Sequence, residues 1–285
     1  MSGFFKLSGS GNDFLALADP EGSAPAPGRE QIRAWCRRGV SLGADGLFLL
    51  RRRGDEAAME YWNADGLPAD LCLNGTRCAA QLAFHLGWAH DRVRIATAAG
   101  SVAARQLDPE RIALDLPVPL AAGNEPRELS LDALGKTWTG WAITVGVPHL
   151  VLPWPESLAG APVVPLGRAL RHHPAFAPAG TNVDFVRFPK SDRMEIRTYE
   201  RGVEDETLSC GTGILAGAAV GLHLKRATLP LSVLTQGGFE LAVTGDPADP
   251  AAGTGKWSLA GDARIVAQGD LLAAAAVEPT PPAWS

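Results

Sequence analysis

Leu71-Cys72-Leu73-Asn74-Gly75 in the first half of the chain has a counterpart in the second, Ser209-Cys210-Gly211-Thr212-Gly213. In both, a small polar residue stands two places after the cysteine and a glycine three places after it. Both run into an apolar, alanine-rich stretch that predicts a helix. His85-Leu86 and His223-Leu224 close these stretches at the same distance from their cysteines. Farther out, Gly11-Asn12-Asp13-Phe14 echoes Thr181-Asn182-Val183-Asp184-Phe185. Asn63-Ala64-Asp65-Gly66 precedes Cys72 much as Glu200-Arg201-Gly202 precedes Cys210. The same order appears twice: an Asn/Asp/Phe segment, a polar loop, then a cysteine at a helix start. Such a repeat predicts two pseudo-equivalent domains, each giving one cysteine to a shared cleft.

The chain has 285 residues, enough for two domains with their own cores. Hydrophobic residues make up 46% and charged residues 20%, a globular balance. The apolar run from Ile214 to Leu224 is too short and glycine-broken to span a bilayer. The N-terminus lacks a basic stretch followed by a long apolar core, so no signal peptide is expected. A net charge of -5 offers no general attraction to nucleic acid. Arg51-Arg52-Arg53, the densest basic run, reads as a solvated loop. Cys36, Cys72, Cys78 and Cys210 are too few for a disulfide scaffold in a chain this long, which points to a reduced, cytoplasmic protein. Cys72 and Cys78 lack a CxxC or HxxxH partner, so zinc is a weak rival and no metal is expected.

Stretches rich in Pro, Gly and Ala at Asp19 to Gly28, Leu116 to Pro126, Leu152 to Pro165 and Gly245 to Gly255 read as loops. The second of these is the expected domain crossing, giving domains 1–118 and 119–262. Strands are predicted at Gly46 to Leu50, Val93 to Ala96, Arg111 to Leu116, Trp141 to Val145, Val183 to Phe188 and Glu195 to Tyr199. Helices are predicted at Glu30 to Arg38, Thr76 to Trp88, Leu166 to Arg171 and Gly213 to Lys225. Many strands with few helices indicate an α+β fold.

A helix N-terminus favours an anion through its unpaired N–H groups and its dipole. Cysteines placed there gain thiolate character. Gly75, Gly211 and Gly213 let backbone approach a ligand, and the same N–H groups can hold a carboxylate and the charge that develops on it. Two such thiols facing one carbon can remove a proton from one side and deliver one from the other, inverting it without a cofactor. A cysteine hydrolase needs one cysteine and a histidine base, leaving the second thiol unexplained. A redox pair is usually a close CxxC. The remaining alternative is burial as small apolar side chains, which suits Cys36 better than the glycine-flanked pair.

These residues resemble the diaminopimelate epimerase family. The likeness covers Gly9-Ser10-Gly11-Asn12-Asp13-Phe14, Gly43-Ala44-Asp45-Gly46, Asn63-Ala64-Asp65-Gly66, and Cys72 with Asn74-Gly75 and Arg77-Cys78. It continues through Thr97, Ala99-Gly100, Pro148-His149, Asn182, Tyr199-Glu200-Arg201-Gly202, Thr207 and Cys210-Gly211-Thr212-Gly213. The resemblance implies two pseudo-symmetric α/β domains around a central cleft, with a final strand, 263–275, returning to the first. It implies a cofactor-independent isomerase in lysine biosynthesis, with Cys72 and Cys210 as the acid/base pair. Asn12, Asn63, Asn182 and Arg201 would hold the polar groups of a small amino-acid substrate, Arg201 gripping the distal carboxylate. Backbone groups around Asn74, Gly75, Gly211 and Thr212 would hold the carboxylate at the reacting carbon. His149 and Glu200 would help set the protonation of the thiols. The partner is then a small molecule, with neither nucleic acid nor membrane, and the oligomeric state is open between a monomer and a homodimer. Leu73 and Val147 depart from the family's glycine and asparagine, and Leu7-Ser8 and Ser10 differ near the N-terminus. Losing the polar contact at Val147 keeps open a racemase for a different amino acid; a second alternative, a non-catalytic amino-acid-binding protein, would tolerate loss of one thiol.

Overall fold

The computed structural model describes residues 3–69, 71–117, 119–120, 123–245 and 256–276, and every statement below concerns these. They fall into two compact units, one drawn from 1–114 and 262–285, the other from 115–261. In the first unit come β1 (Gly3–Gly9), β2 (Asn12–Asp19), α1 (Arg29–Cys36), β3 (Gly46–Arg53), β4 (Glu56–Asn63), α2 (Leu73–His85), β5 (Arg92–Thr97) and β6 (Gly100–Asp108). The strand β7 (Arg111–Pro117) carries the chain across the division. The second unit holds β8 (Arg127–Ala133), β9 (Lys136–Val145), β10 (Val147–Pro153), α3 (Val163–Arg171), β11 (Asn182–Lys190), β12 (Arg193–Glu200), β13 (Asp205–Thr207), α4 (Gly211–His223), β14 (Leu231–Thr235) and β15 (Glu240–Gly245). Then β16 (Lys256–Asp262) leads back, and β17 (Arg264–Asp270) pairs antiparallel with β1.

The two units share one topology. In the first, β17, β1 and β2 run antiparallel in turn, β2 is parallel to β3, β3 antiparallel to β4, β4 parallel to β5, and β5 antiparallel to β6. In the second, β8, β9, β10, β11, β12, β14 and β15 repeat that sequence of pairings. Each parallel pair needs a crossover, and the four helices supply them. By this alignment β2 matches β10 and β3 matches β11. The echo between the Asn12 and Asn182 segments therefore does not mark equivalent positions. Asn12 opens β2, whereas Asn182 opens β11. Asn and Asp recur at strand entries for turn chemistry, which is enough to produce the likeness. Asn63 and Glu200, by contrast, both end matching strands, β4 and β12.

The helices differ by layer. α1 buries Ile32, Trp35 and Cys36 on Leu15, Leu17, Leu47 and Leu49. α3 buries Leu166 and Leu170 on Leu150, Leu152, Val183, Phe185 and Tyr199. These pairs alternate along β2, β3, β10 and β11, so each strand gives one face to the outer helix. The other face of the first unit, with Phe14, meets α2, which touches every strand from β1 to β6 and also β17. A helix enclosed in this way must be made of small and apolar residues, and Cys78, Ala79, Ala80, Leu82 and Ala83 are buried. α4 is likewise buried from Gly213 to Gly221 and packs on β9, β10, β11 and β12.

Three local expectations change. Arg51-Arg52-Arg53 is not a solvated loop but the end of β3, where Arg51 is largely buried and ion-paired with Asp19 and, at 2.7 Å, with Glu60. The stretch Leu152 to Pro165 is not all loop, since α3 begins at Val163, with Pro165 in its first turn, where proline costs no helical hydrogen bond. Both central helices start earlier than Thr76 and Gly213, directly after their cysteines. The expected loop Gly245 to Gly255 lies, beyond Gly245, outside the described residues.

Candidate active site

Each unit places one of the two cysteines at the N-terminus of its central helix. Cys72 is the N-cap of α2, and its Sγ accepts from the Gly75 N–H at 3.4 Å. Thr76 returns its hydroxyl to the Cys72 carbonyl at 2.9 Å and secures the cap. Gly75 packs closely, since a Cβ there would sit 3.1 Å from the flexible end of Met59, at Cε, and 3.4 Å from Phe14 Cε1.

Beside Cys72 runs a chain of hydrogen bonds through two of the expected binding residues. Arg77 is fully buried and donates to Asn74 Oδ1 at 2.7 Å and to Ser10 Oγ at 2.8 Å. Asn74 Nδ2 donates to Asn12 Oδ1 at 2.6 Å, and Asn12 Nδ2 donates to Asp45 Oδ2 at 3.1 Å. The cation at one end and the carboxylate at the other force both amides to point one way. Ser10, Arg77 and the carbonyl and carboxylate of Asp262 tie the chain to the returning segment. Asn63 ends β4, where its Oδ1 accepts from the Tyr61 hydroxyl at 3.1 Å, and the next N–H, of Ala64, reaches the Asp45 carbonyl at 3.0 Å. Arg77 and Asp45 lie in the quoted motifs, yet neither was assigned a role from sequence. A charged residue inside an otherwise small-residue helix was the available signal.

In the second unit Cys210 is the N-cap of α4, with its Sγ 3.4 Å from Thr212 Oγ1. It is buried, unlike the half-buried Cys72. Burial pushes the Cys210 thiol well above its ordinary pKa, and the negative charges of Glu200 and Asp184 push it further the same way. Gly211 opens the helix. His149 lies opposite Asn182 in the parallel register of β10 and β11. Its Nδ1 is 2.7 Å from Asp184 Oδ2 and its Nε2 is 3.4 Å from Asn182 Nδ2, so both ring nitrogens are engaged. Asn182 Oδ1 accepts from the Arg201 backbone N–H at 2.7 Å. Glu200 closes β12, and Arg201 follows in the turn. Asp184 escaped the sequence reading, although an aspartate two places from Asn182 on one strand must share its face.

The two repeated units define a diaminopimelate epimerase-like fold. Solved structures with the same fold include a phenazine biosynthesis protein of the PhzF family from Enterococcus faecalis, with a TM-score of 0.70 at 17% identity over 95% of this chain and 100% of that one. A hydroxyproline epimerase from Agrobacterium vitis matches with a TM-score of 0.65 at 16% identity over 95% and 92%. Sequence narrows the class. The diaminopimelate epimerase family model matches residues 4–115 and 141–259. A diaminopimelate epimerase from Aquifex aeolicus is 38% identical over 84% of this chain and 88% of its own length, and one from Archaeoglobus fulgidus is 35% identical over 86% and 90%. The chain belongs to the diaminopimelate epimerase family, and it is an isomerase of the epimerase class. Among the described residues, no helix is long and apolar enough to cross a membrane.

Proposed function

We propose that the protein inverts an α-carbon of diaminopimelate, converting the LL to the meso form for lysine biosynthesis, with Cys72 and Cys210 as the two bases. One observation carries this reading: two thiols cap the N-termini of topologically equivalent helices. In the resting protein Cys210 is the protonated partner, because burial and two carboxylates hold its proton. Cys72, with an N–H aimed at its sulfur, takes the α-proton as thiolate. The Cys210 thiol then gives its proton to the opposite face of the carbon. The thiols leave the reaction with exchanged protonation states. The N–H groups of Asn74, Gly211 and Thr212 hold the carboxylate and the charge that spreads onto it. Asn12, Asn63, Asn182 and Arg201 hold the distal polar groups. No cofactor enters, and a reducing compartment such as the cytoplasm keeps both thiols competent.

The test is interconversion of LL- and meso-diaminopimelate by the purified protein with no cofactor added. Cys72→Ser and Cys210→Ser should each lose at least about 100-fold in rate, the scale of a general acid or base. Inversion that survives either substitution overturns the two-base reading.

A second reading is favoured by Val147. It opens β10 two residues before His149, so the two side chains share a face. An apolar side chain there suits a less polar amino acid. A panel of amino acids assayed for α-proton exchange decides between them. Val147→Asn should raise activity on diaminopimelate by about 10-fold, one added hydrogen bond, if that substrate is right.

A further inference from the structure

We propose that Asp184 is a positioning residue: it locks His149 as the neutral Nδ1–H tautomer and, through that ring, holds the Asn182 amide in one orientation. The consequence for catalysis rests on the reading of Asn182 as a substrate contact. The locking itself rests on hydrogen-bond geometry alone.

The direction of every bond in this chain follows from one group that has no choice. The Arg201 backbone N–H can only donate, and it meets Asn182 at 2.7 Å, so the amide oxygen must face it. The amide nitrogen then faces His149 Nε2, and since that nitrogen only donates, Nε2 must be bare. An imidazole bare at Nε2 carries its proton on Nδ1, which lies 2.7 Å from the Asp184 carboxylate. A doubly protonated ring would set N–H against N–H at Nε2. Asn182 thereby keeps the ring neutral although a carboxylate stands at its other end. All three side chains are buried, His149 and Asn182 at 1% and 3% exposure and Asp184 at 0%, so water does not replace a lost partner.

Asp184 has two further contacts. Thr198 Oγ1 donates to its other oxygen at 2.8 Å. That same oxygen leaves no room for a Cβ on Gly213, in the first turn of α4 just beyond Cys210. One carboxylate thus seats the His149–Asn182 pair and the helix that carries Cys210.

The test has one arm without substrate and one with it. Ring nitrogen NMR of the wild-type protein at pH 7.5, assigned with His149→Gln, should show the protonated signal on Nδ1 and the bare one on Nε2. A bare Nδ1 or a doubly protonated ring overturns the proposal, whatever the substrate proves to be. In the second arm, Asp184→Asn should lower kcat/KM by on the order of 10- to 100-fold through misplacement of Asn182. It should add little in an Asn182→Ala background, with the amino acid whose α-proton exchanges fastest as probe. Effects of Asp184→Asn and Asn182→Ala that multiply independently overturn the link between them. Asp184→Glu, which keeps the charge but not the reach, should keep the fold and lose the coupling. A wild-type protein inert towards diaminopimelate, with the tautomer as stated, defeats the proposed substrate and leaves the lock standing.

Discussion

Cys72 and Cys210 hold the same place on matching helices but sit in unlike surroundings. Cys72 is half-buried beside an N–H donor, whereas Cys210 is buried beside two carboxylates that hold its proton on. Near neutral pH an alkylating agent should therefore label Cys72 first, by on the order of 10-fold, because only the thiolate reacts. Mass spectrometry of the two peptides reads this directly, and equal rates or faster labelling of Cys210 would contradict the asymmetry. Arg77 sets the direction of the Asn74 and Asn12 amides, and burial pulls its pKa below the ordinary range. Arg77→Met leaves Asn74 Oδ1 and Ser10 Oγ without their donor. It should cost about 1–3 kcal/mol in urea unfolding and lower kcat/KM as the amides lose their orientation. Unchanged KM and kcat would show that the chain does not set the amides.

At the level of elements, the first turns of α2 and α4 tolerate bulk differently. A Cβ at Gly75 meets the flexible end of Met59, while one at Gly213 overlaps the fixed Asp184 carboxylate. Alanine gains up to about 1 kcal/mol over glycine in a helix interior. Gly75→Ala should therefore be near neutral in thermal unfolding, and Gly213→Ala should destabilise by about 1–3 kcal/mol. The reverse order would mean that Asp184 is not held against α4. The central helices were legible in the sequence because a cysteine, a small polar residue and a glycine announce their starts. Short strands such as β1 and β10 were not. Glycines stand at both ends of β1, and β10 carries Pro148 and Pro153, which read as loop when the paired neighbour is unknown. For Asp184 only the shared face with Asn182 was legible; its partners His149 and Thr198 come from neighbouring strands and become neighbours only once the register is known.

Across the whole chain, the doubled order of motifs correctly announced a repeated fold, but the Asn12 and Asn182 echo pointed to the wrong pair of strands. Topology, with β2 matching β10 and β3 matching β11, corrects it. Buried thiols also give the protein a pH signature. An unfolded thiol ionises near about 8.5. Burial pushes Cys36 up to about 12 and raises Cys78 and Cys210 as well. The folded chain then keeps protons that the unfolded chain releases, so this stability is fully present below about pH 8.5 and is lost as pH rises towards the folded values. Urea midpoints should fall between pH 9 and 11, and Cys36→Ala should flatten the slope by about 1.4 kcal/mol per pH unit. An unchanged slope would mean that Cys36 ionises normally in the fold. The central claim is that two thiols serve two faces of one carbon, and a thiol holds a single proton. The decisive measurement is the first turnovers of diaminopimelate in D₂O, run from each stereoisomer in turn. The two-base account predicts product that carries a solvent deuteron at the inverted carbon while unreacted substrate carries none. Product that retains the substrate's own α-proton would contradict it.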